Sequence, residues 1–197
     1  MGDPSWIRSL HRVRPGGRNT AGRRGFAGRW SGYRIVVRST AFEEVRERLA
    51  EKVSELARSS GRTVAVAESL TGGMVASSLS AAPRASEWFR GSLVAYSSDV
   101  KHEVLRVPEG PVVSAEAAGA MAREVRRLLR ADVAVALTGA GGPSEQDGRE
   151  PGTVFLAVDV DGGHRVQRVQ LPGDDPVEIC AGAARAALEL LVGELER

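Results

Sequence analysis

The chain has 197 residues, a length suited to one domain with a layered core and a single active site. Its formal charge of +2 hides an asymmetry, because the first 40 residues hold nine arginines and one acid, Asp3, and leave eighteen bases against twenty-four acids beyond. Arg, Asp, Glu or Gly interrupts every apolar run before the roughly 20 residues of a membrane-spanning helix or the about 7 to 15 of a secretory signal core, so a soluble, cytoplasmic protein is expected.

The basic signal is confined to residues 1–38, a Gly/Arg/Ser-rich leader without sustained apolar periodicity, which predicts a disordered arm. Three origins fit it: an arm touching nucleic acid, a transit-like segment, or upstream sequence included by an early start codon, the last being preferred. The folded domain is expected over 39–197, and its acidic balance makes it an unlikely nucleic-acid binder except through the leader.

Ser39 and Thr40, followed by Glu43 and Glu44, open a helix over about 41–59, with Val45, Leu49, Val53 and Leu56 three or four apart and Gly61 as its stop. Residues 63–67 are β-branched and apolar between Gly61 and a Ser/Thr/Gly cluster, which predicts a buried strand, and 71–82 predict a helix. The alternation returns with a strand at 92–96, helices at 99–105 and 115–130, and a strand at 133–137. Beyond a polar loop at 144–151, strands at 153–160 and 165–171 join through Asp161-Gly162-Gly163-His164 as a hairpin, and Pro176 opens a last helix that ends at 195. The expected fold is α/β, a three-layer α/β/α sandwich with a mixed, mainly parallel sheet and an antiparallel hairpin near the C-terminus. The lone cysteine, Cys180, reads as a small buried residue of that last helix. His11, His102 and His164 are scattered, so neither a metal site nor another cofactor is expected.

Three segments carry chemistry. In the first, Ala67-Glu68-Ser69-Leu70-Thr71-Gly72-Gly73, a buried strand ends, a serine follows, and two glycines open the next helix, whose free N–H groups suit an oxyanion or phosphate. Ser69 is placed to be a nucleophile, with Glu68, Thr71, Gly72 and Gly73 assigned to the oxyanion and substrate; taken alone, the pattern also fits an N-capping serine with a tight turn. The second, Tyr96-Ser97-Ser98-Asp99-Val100-Lys101, puts a phenol at a strand end and an amine about one turn into the next helix. Only two of the 27 basic residues are lysines, Lys52 and Lys101, and a residue that must lose its proton cannot be arginine. A lysine desolvated in a cleft can serve as base toward a serine, although a solvated lysine and a core tyrosine are the plain alternatives. The third, Thr138-Gly139-Ala140-Gly141-Gly142-Pro143, lets backbone amides approach an anion and is assigned to nucleotide phosphate or ribose, through Thr138, Gly139, Gly141 and Gly142. It matches neither a P-loop nor a dinucleotide fingerprint, so a mononucleotide fits better.

Together these segments resemble the CinA C-terminal domain, whose pattern runs A-E-S-C-T-G-G, Y-S-N-x-x-K, T-G-I-A-G-P and G-T-V. The resemblance covers residues 60 to 195 and includes Trp88-Phe89-Arg90-Gly91, Val113-Ser114 and Pro151-Gly152-Thr153-Val154. It implies a layered α/β/α fold, a homodimer, and hydrolysis of the carboxamide of nicotinamide mononucleotide to nicotinate mononucleotide and ammonia. The catalytic residues it implies are Ser69, Tyr96 and Lys101. Leu70 stands for the usual cysteine, Ser98 for asparagine, and Gly141-Gly142 for Ala-Gly, while 107–113 is shorter than typical and 144–151 more polar. Two other readings remain: a catalytically silent nucleotide-binding module of the competence type, and a hydrolase of another small amide.

Overall fold

The structure is a computed structural model that describes residues 40–197; the leader over 1–38, with its expected disorder, lies outside the described residues. Helix α1 (Thr40–Ser60) is followed by β1 (Val64–Glu68), α2 (Met74–Ala81), α3 (Ala85–Trp88), β2 (Phe89–Val94) and α4 (Ser98–Glu103). Then come α5 (Ala115–Leu129), β3 (Val133–Gly139), β4 (Thr153–Val160), β5 (Gly163–Gln170) and α6 (Pro176–Leu195).

One five-stranded sheet runs in the order β2-β1-β3-β4-β5. β1 pairs in parallel with both β2 and β3, whereas β3–β4 and β4–β5 are antiparallel. Four of the five strands therefore point the same way, which is the mixed, mainly parallel sheet that was expected, with its hairpin at β4–β5.

Alternation along β1 and β3 builds two cores. Val64, Val66, Val133 and Val135 pack beneath α1, α2 and α6, while Ala65, Ala67, Ala134 and Ala136 face α5. The small side chains on the second face let α5 lie close, and its own contact surface is correspondingly small: Ala117, Ala118, Ala120 and Ala122. Burying one valine contributes about 1.5–3 kcal/mol, so the strands' valine rows fix which face is which.

Three local departures have physical causes. α2 begins at Met74, not at 71, because Gly72 (φ 58) and Gly73 (φ 102) are left-handed and shape a turn ahead of the helix. β2 starts at Phe89, three residues before the expected strand, because β1 extends its pairing back to Val64. The short α3 was not foreseen; it is set by Trp88, which is buried and donates its indole N–H to the Pro83 carbonyl at 3.2 Å. Among the described residues no helix is long and apolar enough to cross a membrane.

Because β1 has neighbours on both sides that leave the chain at different points, the ends of β1 and β3 flank a topological switch point. The three chemical segments all follow strand ends there.

Candidate active site

The strand β1 delivers Ser69 one residue beyond its last pairing position, 6% exposed. Its predecessor Glu68 is wholly buried and accepts four hydrogen bonds: from Thr71 Oγ at 2.7 Å and from the N–H groups of Gly73 (3.1 Å), Val75 (3.1 Å) and Ala76 (2.8 Å). A carboxylate thus occupies the free amides of the α2 N-terminus, where the helix dipole favours it. All four residues expected to serve the oxyanion and substrate take part in hydrogen bonds within this turn. Glu68 is buried beneath its four donors, Thr71 and Gly73 bond to it, and the Gly72 N–H donates to the Ser69 carbonyl at 3.1 Å. Among the described residues the N–H groups of Leu70 and Thr71 have no partner, so the free donors are those immediately following the serine. The Ser69 hydroxyl is likewise without a partner among them.

Ser97 caps α4, accepting from the Val100 N–H at 3.3 Å, and this cap turns the chain so that Lys101 points inward. Lys101 is 0% exposed and donates its Nζ to the Tyr96 carbonyl at 3.1 Å. Burial pushes the amine below the ordinary lysine range, and the charge of Asp147 partly restores it. The Tyr96 side chain lies the other way, 75% exposed at the rim. The plain alternatives of a solvated lysine and a buried tyrosine are therefore reversed in the structure.

The loop after β3 closes the site. Gly139 is required by close approach, since a Cβ there would stand 2.6 Å from the Thr153 carbonyl oxygen. A Cβ on Gly141 would contact Leu70 at 3.5 Å, so this loop packs directly on the serine turn. Ser69, Tyr96, Gly139, Gly141 and Gly142 line one cleft of about 380 Å³. Thr138 is not among its lining residues: the side chain is buried and its hydroxyl donates to the Val112 carbonyl at 2.7 Å. Lys101 stands behind the cleft wall, joined to it through Tyr96.

Sequence reasoning missed Cys180, Pro176 and the loop residues Ser144, Glu145 and Gln146, all of which line the cleft. Cys180 is only half-buried; its thiol donates to the Leu70 carbonyl at 3.0 Å, and burial raises its pKa. That makes it a fastening between α6 and the serine turn and an unreactive thiol. Leu70 and Cys180 are 110 residues apart, and no local pattern links them. Among the described residues no three His, Cys, Asp or Glu side chains gather in a group that could hold a metal.

The profile of the CinA C-terminal domain matches residues 46–195. A competence-damage inducible protein of Desulforamulus reducens is 36% identical over 154 residues, 76% of this chain, and one from Bacillus cereus is 40% identical over 121 residues, 59% of this chain. The chain spans 37% and 29% of the length of these two relatives. Crystal structures show the same fold. Competence damage-inducible protein A of Klebsiella pneumoniae has TM-score 0.74 and 29% identity, with 77% of this chain and 98% of that one covered. The competence/damage inducible protein of Agrobacterium tumefaciens has TM-score 0.73 and 30% identity, covering 78% and 96%. Fold, motif order and profile agree: the chain belongs to the CinA family, through its C-terminal domain.

Proposed function

We propose that the domain is an amidohydrolase that converts nicotinamide mononucleotide to nicotinate mononucleotide and ammonia with Ser69 as nucleophile. The observation that carries this reading is the meeting of an unpartnered serine hydroxyl, the unpartnered amide of Leu70 and a glycine-lined loop in one cleft of about 380 Å³, within the usual size range for a small-molecule site.

In the reaction, Ser69 Oγ attacks the carboxamide carbon while Lys101 or Tyr96 takes its proton. The oxygen that gains charge faces the Leu70 and Thr71 amides. Collapse of the intermediate breaks the C–N bond, the base returns the proton to the leaving nitrogen, and ammonia departs. Water, deprotonated by the same base, then splits the ester and frees the acid. Each oxyanion donor lowers the barrier by about 3 kcal/mol, and base catalysis adds roughly a hundredfold or more. Lysine suits the base because desolvation lowers its pKa and so favours the unprotonated amine that a base must be. No cofactor enters any step. Val94, Val100 and Val104 are exposed near Tyr96 and leave apolar surface for a homodimer to bury.

A second reading has one observation in its favour. None of the side chains lining the cleft is cationic, and Glu145 is among them, so a substrate phosphate would depend on backbone amides alone. A hydrolase of an uncharged amide fits that lining. Ammonia release measured across nicotinamide mononucleotide, nicotinamide riboside, nicotinamide and simple amides separates the two: the mononucleotide is expected to give the highest kcat/KM. Preference for an unphosphorylated amide favours the second reading, and saturable binding of the mononucleotide with no turnover of any amide favours a silent nucleotide-binding module.

A further inference from the structure

The two stretches that depart most from the family pattern, 107–113 and 144–151, meet in the fold. Gln146 and Arg149 exchange two backbone hydrogen bonds, 3.1 and 2.9 Å, across Asp147 (φ 52) and Gly148 (φ 67), which makes a tight hairpin turn of the Asp-Gly type. Ser144, Glu145 and Gln146, on one arm of that hairpin, line the cleft. Asp147 projects from its tip and accepts the Val113 N–H at Oδ2, 2.8 Å.

Val113 belongs to a segment tied at its other end to Lys101. The Val107 N–H donates to the Lys101 carbonyl at 3.0 Å, His102 Nδ1 lies 2.9 Å from the Val107 carbonyl, and the Val112 carbonyl takes the Thr138 hydroxyl. One short segment therefore links the buried amine, the end of β3 and the hairpin.

We propose that Asp147 is a positioning residue that supplies the counter-charge of the buried Lys101 amine and, through Val113, holds the hairpin in place as the rim of the cleft. Among the described residues no carboxylate stands within ion-pair distance of Lys101 Nζ, whose single hydrogen bond goes to Tyr96. The ionisable groups on the surrounding elements are Tyr96 ahead of α4, Asp99, His102 and Glu103 on α4, Arg106 and Glu109 after it, Glu116 at the start of α5, and Glu145, Asp147, Arg149 and Glu150 on the loop. Of these, Asp147 is the one whose charge acts on Lys101, opposing the effect of burial. It acts on the amine through space, whereas its contact with Val113 is a direct hydrogen bond, so the two roles can be separated by substitution. The chemical consequence rests on the reading of Lys101 as base.

Asp147→Asn keeps an oxygen for the Val113 N–H and removes the charge; Asp147→Ala removes both. The full chain has two lysines, so 13C/15N-lysine labelling gives two side-chain signals, and Lys52→Arg assigns them. The expected result is a Lys101 titration that moves down in both variants. The acid limb of the kcat profile moves down with it, and KM for nicotinamide mononucleotide rises in Asp147→Ala only. An unmoved Lys101 titration in both variants overturns the counter-charge, and an unchanged KM in Asp147→Ala overturns the rim. The NMR readout does not need turnover: Lys101 moving in an enzyme that releases no ammonia sustains the counter-charge and ends the amidase reading. Lys101 unmoved in an active enzyme does the reverse.

Discussion

Replacing Glu68 by alanine removes the acceptor for four donors at once. Two of them, the Thr71 hydroxyl and the Val75 N–H, are in buried surroundings, while the Gly73 and Ala76 amides are partly reached by water. A buried donor left without a partner costs about 1–3 kcal/mol, and the vacated space adds a cavity contribution, whereas relief of the carboxylate's desolvation works in the other direction. The net loss expected is about 3–5 kcal/mol, which for a domain of this size lowers Tm by roughly 6–20 °C. Glu68→Gln keeps the shape and one acceptor oxygen but turns an NH2 group toward the amides, so it falls between the wild type and alanine. Urea unfolding followed by circular dichroism reads both variants, with m unchanged if only native contacts are lost. A Glu68→Ala midpoint equivalent to less than about 1 kcal/mol of destabilisation would refute the view that this carboxylate organises the serine turn.

Burying Lys101 has a pH signature of definite sign. Its folded pKa lies below the ordinary lysine value of 10.5, so between the two values the unfolded chain binds more protons and stability rises with pH. Lys101→Met should therefore raise Tm at neutral pH, with an advantage that shrinks as pH approaches 10.5; a constant difference across that window contradicts the assignment. Gly139→Ala forces a Cβ against the Thr153 carbonyl and Val154, and calorimetry should show a loss of at least about 2 kcal/mol together with lost activity. Cys180→Ala removes one weak hydrogen bond to Leu70 and should keep kcat within about tenfold, whereas abolished turnover with intact folding would make the thiol the nucleophile.

Much of the architecture was readable because period-two apolar runs bounded by glycine have few other solutions. β1, β3 and the β4–β5 hairpin followed from short apolar runs between turn residues, which also put Ser69 at a strand end, while α6 followed from Pro176 and the apolar positions after it. The meeting of Ser69, Tyr96 and the third loop was implied by the order of their motifs, since successive strand ends in such a sheet share one edge. What the sequence concealed was hydrogen-bond commitment. Glu68 and Thr71 read as substrate ligands because polar residues beside a glycine turn look available, yet their partners lie within eight residues and use them up. The partner of Thr138, Val112, likewise lies on a segment of no recognisable pattern. Cys180 and Asp147 depend on contacts across 110 and 34 residues, which no local periodicity encodes.

The most direct measurement is the rate of ammonia release from nicotinamide mononucleotide by the purified chain, set beside that of a correctly folded Ser69→Ala variant. Rapid, saturable release by the wild type and a loss of at least about a thousandfold in the variant is the predicted result. Equal rates in the two proteins, or no release by either, would contradict a serine nucleophile at the end of β1.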